Sequence, residues 1–217
     1  MNLRRRISEL RKLADSDDWW DREIAGFALR DLIEDHFVEG MKLTHRWPKH
    51  SSARIRRAAC QSLMQRKAKT TDQRLPPILK RLEVLMKDDD IYVRKCCGPY
   101  VVAYLASTYP RIVIPWLKNQ ARSADPNVRA NVAKAFCQSL GSRRPEDGVA
   151  ILKILAKDQR RRVRQAVLSS ARNISKKSGL GDSLISRKLS RLLSDRNISR
   201  LGARRQNSRE MNRAPIF

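Results

Sequence analysis

An all-α, right-handed solenoid of about six helical repeats is the fold this sequence predicts, and two observations carry it. The first is internal repetition. An acidic turn, an arginine and then small apolar residues recur as DDWWDREIAG, DDDIYVRKCCG, DPNVRANVAKAF and DQRRRVRQAVLSSA. SSARIRRAAC keeps the arginine without the acid, and DRNISRLGARR is a degenerate sixth copy. The aligned arginines, Arg22, Arg56, Arg94, Arg129, Arg164 and Arg200, are separated by 34, 38, 35, 35 and 36 residues. A period of that size marks stacked repeats, each burying its apolar side on its neighbours. The second observation is the apolar spacing inside each unit, which is helical.

Each unit reads as two helices joined by the acidic turn. In the third, Leu75, Ile78, Leu79, Leu82, Leu85 and Met86 make the stripe of the first helix. Val93, Cys97, Tyr100, Val101 and Tyr104 make that of the second. The fourth repeats the scheme with Ile112, Val113, Trp116 and Leu117, then Val128, Val132, Ala135 and Phe136. Asp125-Pro126 is a helix start, because aspartate caps free N–H groups and proline fits the first helical position. Pro76-Pro77 opens a helix in the same way. Gly98-Pro99 predicts a kink in the second helix of unit three, since proline removes a hydrogen bond there. The kink either opens the inner surface or accommodates packing. The array is expected to fill residues 1–205, with 206–217 a basic, flexible tail.

Charge narrows the function. The chain of 217 residues carries 47 Lys+Arg against 22 Asp+Glu, a net charge of +25, far above the ~2–8 that solubility asks of a small domain. Between Asp15 and Glu39 nine acids meet two bases, so the other 192 residues hold a net +32. Such self-repulsion points to a polyanionic partner, nucleic acid above all. No run approaches the ~18 apolar residues of a membrane span. The basic start MNLRRRISELRKL has no apolar core of a secretory signal. Four cysteines without a CxxC make no disulfide framework, which fits a reducing, cytoplasmic setting, with association with the nucleoid as a further expectation.

The repeat arginines admit a structural role, pairing with acids of successive units in a ladder. The cations beside them are the expected nucleic-acid contacts: Arg54, Arg57, Lys95, Lys134, Arg161, Arg162 and Arg172. Repeated along one helix face, they form a stripe on which each neutralises a phosphate. Cys60, Cys96, Cys97 and Cys137 read as small buried packing residues. His36, His45 and His50 have no partner at a zinc spacing, so no metal is expected. With no GxSxG, P-loop or GxGxxG, no cofactor is expected either. Trp19-Trp20 and Tyr92 stand among Asp17, Asp18, Asp21, Glu23, Asp89 and Asp90, where rings and carboxylates suit a cationic base. Alternatively the tryptophans pack between units and the acids cap helices.

Asp-x-x-x-Arg at the start of the second helix resembles the HEAT repeat over residues 3 to about 200. More narrowly, DDWWDREIAGFALRDLIEDHF, RWPKHSSARIRRAACQSLM and DIYVRKCCGPYVVAYLASTYP resemble the HEAT-like-repeat DNA alkylation-repair glycosylases. The resemblance implies a basic concave face that embraces duplex DNA, and excision of cationic alkylated bases. Arg57-Ala58-Ala59 matches the family's Arg-Ala-Ala, which makes Arg57 the clearest DNA-facing arginine by resemblance. Trp19-Trp20-Asp21 matches the family's Trp-Trp-Asp, but Ile24 stands where one branch has its catalytic aspartate. Another branch's Asn-Asp pair has no counterpart, there being no acid between Lys95 and Ser107. No catalytic residue is therefore assigned. The expected function is a nucleic-acid-binding repeat protein related to alkylation repair. The rivals are an active alkylbase N-glycosylase and a non-catalytic scaffold that docks through segment 15–39 or the tail.

Overall fold

The computed structural model describes residues 2–177. The sixth repeat arginine, Arg200, and the tail 206–217 lie outside the described residues. Within them the chain is an all-α solenoid without a strand, running from α1 (Leu3–Ala14) to α12 (Arg161–Lys177). Helix α1 pairs with α2 (Trp19–Asp35), and α3 (Phe37–Leu43) leads to α4 (Ala53–Gln61). In unit three α5 (Leu75–Met86) is followed by α6 (Ile91–Cys96), which continues through a π-helical turn, Cys97–Val102, into α7 (Ala103–Thr108). Then come α8 (Pro110–Gln120) with α9 (Pro126–Lys134), the short α10 (Ser139–Arg143), and α11 (Pro145–Leu155) with α12. The second helices stack as one layer in the order α2, α4, α6, α9 and α12, with the π turn that continues α6 making the main contact to α9. No described helix is long and apolar enough to cross a membrane.

Every second helix starts on the same device. Asp18, Asp90 and Asp125 cap α2, α6 and α9, each accepting the N–H two residues on at 2.7 Å. Three residues upstream of each start, the side chains of Ser16, His50, Asp88, Ser123 and Asp158 accept a turn N–H at 2.8–3.2 Å. Each of these acceptors stands six residues before its repeat arginine. The arginine then closes the turn from the other side. Arg22 Nη1 donates to the carbonyls of Ser16 and Asp17 at 2.8 and 2.7 Å, and Arg56 Nη1 to those of His50 and Ser51 at 2.8 and 2.7 Å. Arg94 Nη1 does the same with Asp88 and Asp89. Carbonyls at a helix end and in a tight turn have no backbone partner, and one arm of a guanidinium satisfies two of them at once.

The inter-unit ladder forms at two of these arginines: Arg56 Nε meets Asp88 at 2.6 Å and Arg129 Nε meets Asp158 at 2.9 Å. The Asp158 carboxylate is 3% exposed and also accepts from Arg160 Nη2 at 2.6 Å. Hydrogen bonds from the Arg160 guanidinium, with the charge of Arg129, hold its carboxyl below the usual range. A depressed folded-state pKa stabilises above the unfolded value, near ~3.9, and that stability is lost as pH falls through the folded value. Asp158→Asn is therefore expected to cost about 3 kcal/mol at pH 7 and to flatten the stability profile below about pH 4. Urea denaturation at a series of pH values checks both.

The core follows the predicted stripes, with Leu75, Ile78, Leu82, Leu85, Met86, Val128, Val132 and Phe136 buried. Cys60, Cys96 and Cys97 are buried together, Cys60 Sγ lying 3.1 Å from Cys97 Sγ, while Cys137 is partly exposed. Tyr100 departs from the expected stripe and is 53% exposed. The cause is at Gly98-Pro99, where the helix widens into the π turn instead of breaking. Pro99 has no N–H, and the Gly98 N–H donates to Asn131 Oδ1 of α9 at 3.1 Å. Asn131 Nδ2 in turn donates to the Met86 carbonyl at 3.0 Å. One buried amide thus ties α9 to both helices of unit three.

Candidate nucleic-acid interface

Where α6, the π turn, α9 and α12 lie side by side, a groove of about 550 Å³ opens on the second-helix layer. Four cations line it, Arg94, Lys95, Lys134 and Arg162, and no carboxylate does. Tyr100, Ile91, Gln165 and Ser169 are also in its lining. Burial, then the like charge of Arg162, pulls the Arg94 pKa down, against the opposing charges of Asp89, Asp88 and Asp90. Arg162 Nη1 also donates to Asn127 Oδ1, which fixes it at the start of α12. Lys95 and Lys134 make no ion pair among the described residues.

The groove brings together three of the seven predicted contacts, Lys95, Lys134 and Arg162. Arg161 and Arg172 are exposed on α12 outside its lining. Arg54 is turned back to unit one, where Nη2 meets Asp17 at 2.6 Å and Nη1 donates to the Asp15 carbonyl at 3.0 Å. Arg57 is 16% exposed, paired with Glu23, with its guanidinium 4.8 Å from the Tyr92 ring centre. Gln61 completes that cluster, its amide donating to Glu23 at 2.9 Å. Sequence reasoning missed Arg94, Tyr100, Gln138, Gln165 and Ser169 as lining residues. Register would have found part of the lining, since residues one and five after the repeat arginine (Lys95, Ala130, Gln165; Pro99, Lys134, Ser169) face the groove in units three to five.

The acidic segment is largely a mating surface within the chain. Of the nine acids between Asp15 and Glu39, five pair with bases of unit two: Asp17 with Arg54, Glu23 with Arg57, Asp31 and Glu34 with Arg66, and Asp35 with Lys69. Asp18 and Asp90 cap helices, as one of the two readings had it. Tyr92 packs between units, its hydroxyl accepting from Arg22 Nε at 3.0 Å. Trp19 and Trp20 do not. They lie edge to face at 4.8 Å and are 50% and 67% exposed.

Residues 78–172 match the family of HEAT repeats. Among curated protein sequences, none matches the chain significantly. The crystal structure of smu.31 from Streptococcus mutans UA159 is similar in fold at 12% identity, with a TM-score of 0.56 over 90% of this chain and 99% of that one. An engineered protein superposes with a TM-score of 0.38 at 19% identity over 92% of this chain and 98% of its own. A designed armadillo repeat protein does so with a TM-score of 0.36 at 13% identity, over 88% of this chain and 98% of its own.

Proposed function

We propose that the chain binds nucleic acid through this groove, gripping the phosphate backbone with Lys95, Lys134, Arg162 and Arg94. The observation that carries the reading is a groove lined by four cations and no carboxylate, in a chain of net charge +25. Phosphate contacts of this kind position a strand without reading its sequence, so little sequence preference is expected. The reading is one of binding. The Asp21, Glu23 and Asp90 carboxylates, which an alkylbase glycosylase would need against a bound base, are outside the lining. Asp21 accepts from Ser16 Oγ at 2.8 Å, Glu23 is paired with Arg57, and Asp90 caps α6. Kinship with alkylation repair is proposed only as far as a DNA-facing basic groove.

Salt dependence tests it. Four phosphates neutralised give a slope of log affinity against log salt of about −3 for a single strand and nearer −4 for a duplex. Fluorescence anisotropy with labelled oligonucleotides measures that slope directly. No binding even at low salt, or a slope near zero, would remove the reading.

A further inference from the structure

We propose that the groove holds an unpaired base of a nucleic-acid strand against the Tyr100 ring, while the strand's phosphates lie on Lys95, Lys134 and Arg162. This rests on the nucleic-acid reading above and goes beyond it by naming a single-stranded ligand. Counted from the repeat arginine, Tyr100 stands six residues on, at the register of Ala28, Ser62, Ala135 and Ser170. All four are small; Ser62, Ala135 and Ser170 are at most 1% exposed and Ala28 is partly buried, whereas the Tyr100 side chain is half in solvent. The π turn is what displaces it. Between a proline that cannot donate and a Gly98 N–H committed to Asn131, the helix widens, and the residue that packs inward in units two, four and five is turned into the groove.

Packing does not call for a tyrosine at this position. Val101 and Val102, the next two residues, are fully buried and supply the core contact of this turn. What the ring adds is an aromatic face in the lining of a cationic groove. Any base can stack on such a face, with a contribution of roughly 1–3 kcal/mol per base. A base inside a duplex has both faces covered by its neighbours and presents none to a side chain, so the ring selects a strand whose bases are free. Gln138, Gln165 and Ser169 line the same groove and offer amide and hydroxyl groups to a base edge.

The test separates base from backbone. The full chain is titrated with an oligodeoxyadenylate of about 15 nucleotides, within single-strand site sizes, with an abasic strand of equal length and charge, and with the matching duplex. The adenylate strand is expected to bind about tenfold more tightly than the abasic one. Tyr100→Ser should abolish that difference and leave the abasic affinity unchanged, while Tyr100→Phe should keep it. Equal affinity for adenylate and abasic strands, with the salt slope intact, overturns the base contact and leaves the groove reading standing. A duplex preferred over the single strand, with Tyr100→Ser silent, overturns it as well. Failure to bind any of the three removes both.

Discussion

Reversing three groove charges together, as Lys95→Glu, Lys134→Glu and Arg162→Glu, is expected to weaken nucleic-acid binding at least about fiftyfold near physiological salt. Each phosphate contact contributes roughly 0.7 to the salt slope on a single strand and roughly 0.9 on a duplex, which near 0.15 M salt corresponds to about four- to fivefold in affinity. Losing three such contacts multiplies to about fiftyfold on a single strand and more than about a hundredfold on a duplex, and the added repulsion deepens it. The slope itself should fall toward about −1, the share left to Arg94. A control of equal charge change separates the groove from the bulk charge of +25. Lys80, Lys118 and Lys153 are exposed on the first helices α5, α8 and α11, and their replacement by glutamate should cost only the weak, screened part of the long-range attraction. Comparable losses in the two triples would trace the affinity to net charge alone and detach it from the groove.

The same residues show which parts of the molecule were legible in the sequence. The period was plain because the repeat arginine has a local task in units one to three, where Arg22, Arg56 and Arg94 close a turn five and six residues upstream, and local tasks leave a fixed spacing. The roles of neighbouring arginines were not plain. Arg56 and Arg57 are adjacent, yet one closes its turn and the other is consumed by Glu23. Lys95 occupies the same register as Arg57 one unit later and remains free of any ion pair among the described residues. The difference lies a whole unit upstream: Arg57 has Glu23 as its neighbour in the row, and Lys95 has Arg57. Helical periodicity alone does not count charges across a stack, so Arg57 read as a free cation.

Exposure of Trp20 has a related cause. It stands two residues before its arginine, where Arg54, Tyr92 and Asn127 reach back to a preceding unit. Unit one has no preceding unit among the described residues, so the same register faces solvent. Tyr100 illustrates a different limit. Gly98-Pro99 announces a disturbed helix, but the direction of the disturbance is set by Asn131 on another unit, through a contact 33 residues away.

That contact also makes the fold and the groove depend on one glycine. Gly98→Ala is expected to destabilise the chain by about 2 kcal/mol, although alanine is the better helix former by about 1 kcal/mol. A Cβ at Gly98 would lie 2.7 Å from the Asn131 carbonyl oxygen, 2.9 Å from Asn131 Oδ1 and 2.9 Å from Lys134 Cβ. The nearest of these is backbone and cannot rotate away, so α9 must withdraw from the π turn. Overpacking of this kind costs about 1–3 kcal/mol, and withdrawal stretches the Gly98–Asn131 hydrogen bond, worth about 1 kcal/mol more. The two costs together exceed the gain in propensity. In a chain of this size the net loss corresponds to a Tm lower by about 4–8 °C, which scanning calorimetry resolves. Because Lys134 rides on α9 and Tyr100 on the π turn, the same substitution should also disturb the groove and weaken binding to single strands. An unchanged or raised Tm would mean that α9 does not close on Gly98 at this distance, and the displacement of Tyr100 into the groove would lose its cause.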